Sequence, residues 1–379
     1  MSRTLAEVIA LLERLAPLDL SEAWDNTGLL LEPLGAAARA IERAFLCIDL
    51  DEIVLDEAIE RAADLLIAYH PPLFRGLKCL RASSPEERVL LRALDAGLCV
   101  YSPHTALDAT VDGVNDWLAR AFGAGRTTPL IAHPARPASA EFKLVVFVPP
   151  AHVPSLRRAL SRELGAGNIG NYSECGYELE GRGSFFGNEA AAPRVGERGK
   201  LEFVPETRLE MRCPASALKD LARVIDAHHP YEEPAWDLYP LATPPRANVG
   251  AGRLLELDAP ISISEAVARL KAQLELPTLR VATAGTHAAG APIARIAVCA
   301  GAGGSLFEKV HAADLFVTGE LRHHDVLAKV RAGSSVILSE HSHTERGYLP
   351  EFGRRLENLA DGQMQVLISE RDKDPLRMV

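Results

Sequence analysis

The stretch LLIAYHPPLFRGLK, residues 65–78, sets an apolar run directly against a histidine and two prolines. Asp64 to Tyr69 read as a strand, and His70 falls just past its end. Pro71 and Pro72 fix the exit backbone and prevent a helix from starting there. A side chain at such a strand end is held on a rigid support, which is where α/β proteins place ligands and catalytic groups. His70 is therefore a candidate ligand, with a hydrogen-bonded loop histidine as the plainer reading.

The same texture extends outward in both directions. Helices are predicted near 4–16, 52–62, 85–96 and 112–122, and strands near 44–50, 64–69 and 98–102. Apolar strand cores separated by amphipathic helices predict a layered α/β sheet covered by helices. This region, residues 1–135, ends in TTPLIAHPARPASAEF, where three prolines mark a linker. Residues 136–249 read differently: a strand at FKLVVFVPP, a helix at VPSLRRALSREL, strands through KLEFVPETRLEMRCP, a helix at ASALKDLARVIDAH and a last strand at EEPAWDLYPL. That pattern predicts a compact α+β domain, closed by a second linker at ATPPRANVGAG. From 250 to 379 the α/β texture resumes, with helices expected over 262–273, 304–313, 321–331 and 344–360. The outer segments read as two halves of one domain with the middle domain inserted at surface loops; independent first and third domains are the alternative.

Of the 379 residues, 47% are apolar and 24% charged, which fits ordinary globular folding and excludes a disordered chain. A formal charge of -10 disfavours binding to a phosphate backbone, so no specific nucleic-acid partner is expected. The six cysteines never form a CxxC pair, which argues against a zinc knuckle or a disulfide frame. The N-terminal segment MSRTLAEVIALLERLAP is amphipathic and interrupted by charge, unlike a signal peptide. No segment approaches the roughly 18 consecutive apolar residues of a membrane span. A soluble, cytoplasmic protein is the expectation.

Two further strand ends repeat the pattern of His70. In YSPHTALDATVDGVNDWL, His104 and Asp108 lie four apart and share a face if the segment is helical, Asp108 as ion ligand and His104 as ligand or orienter. Asp112 is expected to cap the following helix. In SEHSHTERGYL, residues 339–349, His341 precedes Glu345 by four, with Ser342 or Thr344 as the expected cap and His343 pointing elsewhere. Glu345 near a helix N-terminus also suits the helix dipole, and its two oxygens could bridge two cations. Nitrogen and carboxylate donors without thiolate suit zinc, iron or manganese. Such ions lower the pKa of bound water and clamp a developing oxyanion, which makes hydrolysis the chemical expectation.

Weaker candidates surround these. The loop CAGAGGSLFEKV could accept an anion on backbone NH groups, although tight strand-to-helix packing explains its glycines better. Glu320 and His324 in VTGELRHHDVLAKV could share a helical face near a cleft, which leaves His324 as a pocket candidate. Trp24, Asp25 and Asn26 form a turn that could line a pocket. His228, His229 and Glu232 could make a local metal site, but Pro230 breaks their spacing.

Taken in order, WDNTGLL, YHPPLFRGLK, YSPHTALDATVDGVNDWLA, GNIGNYSECGYELEGRGSFF, HPYEEPAWDLYPL, FVTGELRHHD and SEHSHTERGYL resemble the Ngg-interacting-factor-like family of dinuclear-metal proteins, whose members often carry the name type 2 GTP cyclohydrolase I homologue. The resemblance covers nearly the whole chain. It implies two similar α/β lobes forming one metal-binding domain, an inserted ferredoxin-like α+β domain, and a toroidal homohexamer. It places metal ligands at His70, Asp108, His341 and Glu345, with Glu345 bridging two divalent ions and His104 lining the site. Many bacterial members have a second metal-binding histidine where this chain has Tyr69, and phenol is a poorer divalent-metal ligand than neutral imidazole. The resulting expectation is a metal-dependent hydrolase of a nucleotide or other phosphorylated small molecule, with Glu345 and His104 as the catalytic pair. A non-catalytic metal-binding regulatory or interaction scaffold is the alternative, with the inserted domain as ligand sensor, lid or subunit contact.

Overall fold

The computed structural model describes residues 3–133, 141–242, 246, 248–310 and 312–376. The central parts of both expected linkers, 134–140 and 243–245, lie outside the described residues. The chain divides into two compact units, one formed by Met1–His133 together with Arg246–Val379 and the other by Pro134–Pro245.

In the larger unit, helix α1 (Leu5–Leu15) starts at a capping box: Thr4 accepts from the Glu7 backbone while the Glu7 side chain accepts from that of Thr4. Its buried residues Leu5, Val8, Leu12 and Leu15 recur at helical spacing on the core face. There follow β1 (Gly28–Leu31), β2 (Arg43–Cys47), α2 (Glu52–Glu60), β3 (Leu65–Ala68), α3 (Pro85–Asp95), β4 (Cys99–Ser102), α4 (His104–Ala109), α5 (Val114–Arg120) and β5 (Gly125–Thr128). Every residue of β3 and β4 is buried, as befits strands covered on both faces. Asp112 does not cap α5: the cap position falls on Gly113, and Asp112 instead receives the Tyr348 hydroxyl on its carbonyl at 2.6 Å.

The smaller unit runs β6 (Glu141–Val148), α6 (Val153–Leu164), β7 (Gly176–Phe186), β8 (Leu201–Pro214), α7 (Leu221–His228) and β9 (Trp236–Pro240). Its antiparallel strands lie in the order β7-β8-β6-β9, and Leu144, Val146 and Leu209 form a core with Leu156, Leu160, Val224 and Ile225 of the two helices.

The larger unit then continues with β10 (Arg253–Ile261), α8 (Ile263–Leu274), β11 (Arg280–Ala282), α9 (Gly285–Ala288), β12 (Ile293–Ala302), α10 (Gly304–Phe307), β13 (Leu315–Glu320), α11 (His323–Arg331), β14 (Ser335–Leu338), α12 (His343–Arg346), α13 (Leu349–Leu359) and β15 (Gln365–Ile368). The helix expected over 304–313 is the single turn α10, after which Lys309 and Val310 bond three residues back.

Two mixed sheets result, ordered β15-β2-β3-β4-β1 and β11-β14-β13-β12-β10-β5. Each borrows one strand from the other end of the chain: β15 adds parallel to β2, and β5 pairs antiparallel with β10. The guanidinium of Arg253, only 1% exposed, joins the same two chain segments from inside. It bonds Asp116 and the carbonyls of Ala109 and Thr110 on one side, and the carbonyls of Gly250 and Gly252 on the other. These exchanges explain why residues so distant in sequence form one compact unit.

Candidate metal centre

Both metal-candidate histidines sit where parallel strands end. Strand β2 aligns Cys47 with Ala68 of β3, so Asp49 and His70 leave the sheet side by side. Strand β13 aligns Thr318 with Leu338 of β14, which puts Glu320 opposite Glu340; the chain turns at Glu340, φ +67°, and the ring of the next residue, His341, meets Glu320. In each pair the carboxylate accepts from the imidazole Nδ1 at 2.9 Å. That bond fixes the ring and leaves Nε2 as the free donor of electrons, as in metal-bound histidines.

The two Nε2 atoms face Glu345. His70 Nε2 is 3.4 Å from Glu345 Oε2, and His341 Nε2 is 3.5 Å from Oε1. The ligand atoms of His70, His341 and Glu345 lie within 4.8 Å of one another. Glu345 is 3% exposed, and its Oε2 is buried without a hydrogen-bond partner. A buried carboxylate oxygen with no partner is costly and calls for a cation or water. Gly301, at φ +65°, borders the same space: a Cβ there would stand 2.8 Å from Glu345 Oε1 and 3.0 Å from His341 Nε2. Two imidazole nitrogens and a carboxylate fit a borderline divalent ion such as zinc, iron or manganese.

The helix expected over 344–360 is divided here. One turn, α12, carries Glu345, and α13 starts anew at Leu349. At the break, Gly347 lets the Trp117 ring approach so closely that a Cβ would meet it at 2.6 Å. Ser342 holds the cap position of the turn but its side chain makes no capping bond, and Thr344 lies within the turn. Ser342 donates to Asp374 at 2.6 Å, while Thr344 Oγ1 donates to the His341 carbonyl and accepts from Gly301 N, each at 2.7 Å.

Charge is strongly biased around the centre. Burial disfavours the His70 cation, but the bond to Asp49 and the adjacent Glu345 carboxylate outweigh it and raise His70 to about 10. Asp49 is lowered in return, its bond to His70 overcoming burial. Burial pushes Asp108 up to about 6 against the opposing pull of His104 and Tyr69.

Asp108 and His104 occupy one turn of α4, but they turn to other partners. Asp108 Oδ1 accepts from the Tyr69 hydroxyl, and Tyr69 is 2% exposed. His104 Nδ1 donates to Asp25 Oδ1 at 2.8 Å, and Asp25 also accepts from Thr105 N at 3.2 Å. The backbone at His104 has φ +26°, a strained value of the kind that clusters at functional sites. Its ring lies 5.4 Å from that of His70 and 6.1 Å from that of Trp24, which itself meets Phe74 at 6.1 Å. Trp24 and Phe74 are exposed.

The remaining candidates lie apart. His343 Nδ1 donates to the Ser339 carbonyl, and His324 is exposed at the start of α11. His228 pairs with Glu163, His229 with the Phe147 carbonyl, and Glu232 with Ala192 N, so these three do not converge. In the glycine loop, a Cβ at Gly303 would meet Phe307 and Thr318 at 2.9 Å, which makes close packing its role.

Several supporting residues escaped the sequence reading. Asp49 was not singled out, and Glu320 was paired with His324 rather than His341. The available signal was an acid ending the strand that precedes each histidine-bearing strand. Asp372 carried no signal, yet it accepts from Ile48 N at 2.6 Å and pairs with Arg346 at 3.2 Å, tying together the neighbours of Asp49 and Glu345.

The family model Duf34/NIF3 (NGG1p interacting factor 3) matches residues 3–375. The NIF3-like protein 1 of Rattus norvegicus is 34% identical over 385 aligned residues, covering 100% of this chain and 94% of its own length. A GTP cyclohydrolase 1 type 2 homolog of Mycobacterium tuberculosis is 36% identical over 348, covering 90% of this chain and 88% of its own. Among solved structures, a Bacillus cereus protein related to NIF3 superposes with a TM-score of 0.64 at 28% identity, with 100% of both chains covered. The chain belongs to the Duf34/NIF3 family, and His70, His341 and Glu345 form its candidate metal-binding site.

Proposed function

We propose that this protein is a divalent-metal-dependent hydrolase of a nucleotide or other phosphorylated small molecule. The observation that carries the reading is the partnerless buried Oε2 of Glu345, set between two imidazoles that are each oriented from behind by a carboxylate. A divalent ion at this position supplies Lewis acidity, acidifying water and drawing charge from a phosphoryl or carbonyl oxygen. His70, His341 and Glu345 bind and orient it, and Asp49 and Glu320 keep the two rings in the binding tautomer. The His104 ring, held through Nδ1 by Asp25, lies 5.4 Å from that of His70, which leaves Nε2 to take or return a proton. The exposed rings of Trp24 and Phe74 beside His104 offer a stacking surface for a planar base. The names of the mycobacterial relatives point to the same substrate class.

The architecture fits the same reading. Asp49 with His70 and Glu320 with His341 repeat one arrangement in the two sheets, which supports two similar lobes flanking the centre. The chain order β6-α6-β7-β8-α7-β9 with the spatial order β7-β8-β6-β9 supports a ferredoxin-like insert. The hexamer implied by family resemblance belongs to this reading and is checked by light scattering.

The deciding experiment couples elemental analysis of the purified protein to a hydrolysis screen over nucleotides and sugar phosphates, repeated on Glu345→Gln. Metal-dependent turnover that falls with the variant supports the proposal. A protein that holds metal and binds a ligand stoichiometrically without turnover would leave the scaffold reading in its place.

A further inference from the structure

We infer that this chain holds one metal ion at the centre, and that the Tyr69 hydroxyl, bonded to Asp108, stands where a second ion would need its ligands. The inference rests on the metal reading above and narrows it. The chain was expected to hold two ions bridged by Glu345, with Asp108 serving one of them.

Three observations argue for a single ion. First, His70, His341 and Glu345 form the only cluster of metal-ligand side chains among the described residues, and Asp108 is not part of it. Second, the two oxygens of Glu345 address the same space: Oε1 faces His341 and Oε2 faces His70, at 3.5 and 3.4 Å. Third, the Oδ1 of Asp108 is already an acceptor for the Tyr69 hydroxyl. Tyr69 belongs to the hydrophobic core, where its ring is fixed by packing, so this bond is built in rather than a passing surface contact.

The donor chemistry agrees. Around Asp108 a second ion would meet the Tyr69 hydroxyl already bonded to Oδ1 and a share of Glu345, while the nearby His104 ring is held through Nδ1 by Asp25. Borderline divalent ions prefer nitrogen and deprotonated oxygen donors at about 2 Å. The phenol hydrogen-bonds Oδ1 of Asp108 in the place a metal would take. Tyr69 thereby acts as a positioning residue: it holds Asp108 beside the ion without touching it.

The test is the metal content and spin state of the manganese-loaded full-length protein, wild type against Tyr69→His and Tyr69→Phe. The wild type is expected to hold about one ion per chain and to give the six-line spectrum of isolated Mn²⁺. Tyr69→His, which supplies the missing imidazole, is expected to gain a second ion and an exchange-coupled signal, while Tyr69→Phe stays at one. Two ions per chain in the wild type, or a coupled spectrum there, would overturn the inference while leaving the metal reading intact. A folded Tyr69→His that stays at one ion would remove Tyr69 as the cause. Loading the wild type with Fe³⁺ adds an independent arm, since a visible phenolate-to-iron charge-transfer band would show Tyr69 to be a ligand and sink the idea. No bound metal in any form would remove the metal reading itself.

Discussion

Gly301→Ala is expected to separate metal binding from folding. At φ +65° the residue is in the left-handed region, where an added Cβ costs about 1–2 kcal/mol. The new methyl would stand 2.8 Å from Glu345 Oε1 and 3.0 Å from His341 Nε2, closer than carbon and these atoms tolerate. Neither neighbour can retreat freely. Glu345 is buried in α12, and His341 is held through Nδ1 by Glu320. A shift of a few tenths of an ångström is comparable with the ±0.2 Å tolerance of metal–ligand distances. Affinity should therefore fall by about 10–100-fold, equivalent to about 1.4–2.7 kcal/mol. Isothermal titration calorimetry with Zn²⁺ or Mn²⁺ measures this, and thermal unfolding without metal measures the backbone cost separately. Gly304→Ala is the control, because its Cβ would find only Leu321 at an ordinary 3.9 Å. Wild-type affinity in a folded Gly301→Ala would refute the placement of the ion between His341 and Glu345.

Other substitutions probe the supports. Glu320→Gln should lower metal affinity about 10–100-fold by loosening the His341 ring, with little change in unfolding midpoint because Glu320 is half exposed. Arg253→Met should cost about 3–5 kcal/mol in urea unfolding, since it strands Asp116 and the four backbone carbonyls that the guanidinium now serves. Glu57, 4% exposed, accepts from Ser369 at 2.6 Å and from the backbone of Glu370 and Arg371 at 3.0 and 3.1 Å. Burial works against its charge, but these bonds hold it down at about 2, below the ordinary 4.5. A depressed folded-state pKa means that its contribution is complete above about pH 4.5 and is lost as the pH falls toward 2. Glu57→Gln should lose about 1.5–3 kcal/mol at pH 7, and the gap from wild type should narrow in acid; a gap independent of pH would contradict the assignment.

The sequence made most of the fold legible because strands such as Leu65–Ala68 and helices such as Leu5–Leu15 declare themselves by local apolar periodicity. Their ends were less secure. The 344–360 helix is interrupted between Arg346 and Leu349, beside Pro350, which has no N–H to bond back to the Arg346 carbonyl, and Gly347 there leaves room for Trp117, more than 200 residues away. Asp112 looked like a cap by position, yet its place is set by Tyr348 across the unit.

The candidate site divides along the same line. By itself the sequence determined the family, the α/β class and the ligand types, since His70, His341 and Glu345 are marked by strand ends and short spacings that need no tertiary knowledge. Only the folded chain decided which donors meet. Parallel register sets Asp49 behind His70, a turn at Glu340 brings His341 against Glu320, and core packing gives Asp108 to Tyr69. The physical reason is that a residue's type and local periodicity are written along the chain, whereas a carboxylate's partner depends on strand register and packing across it.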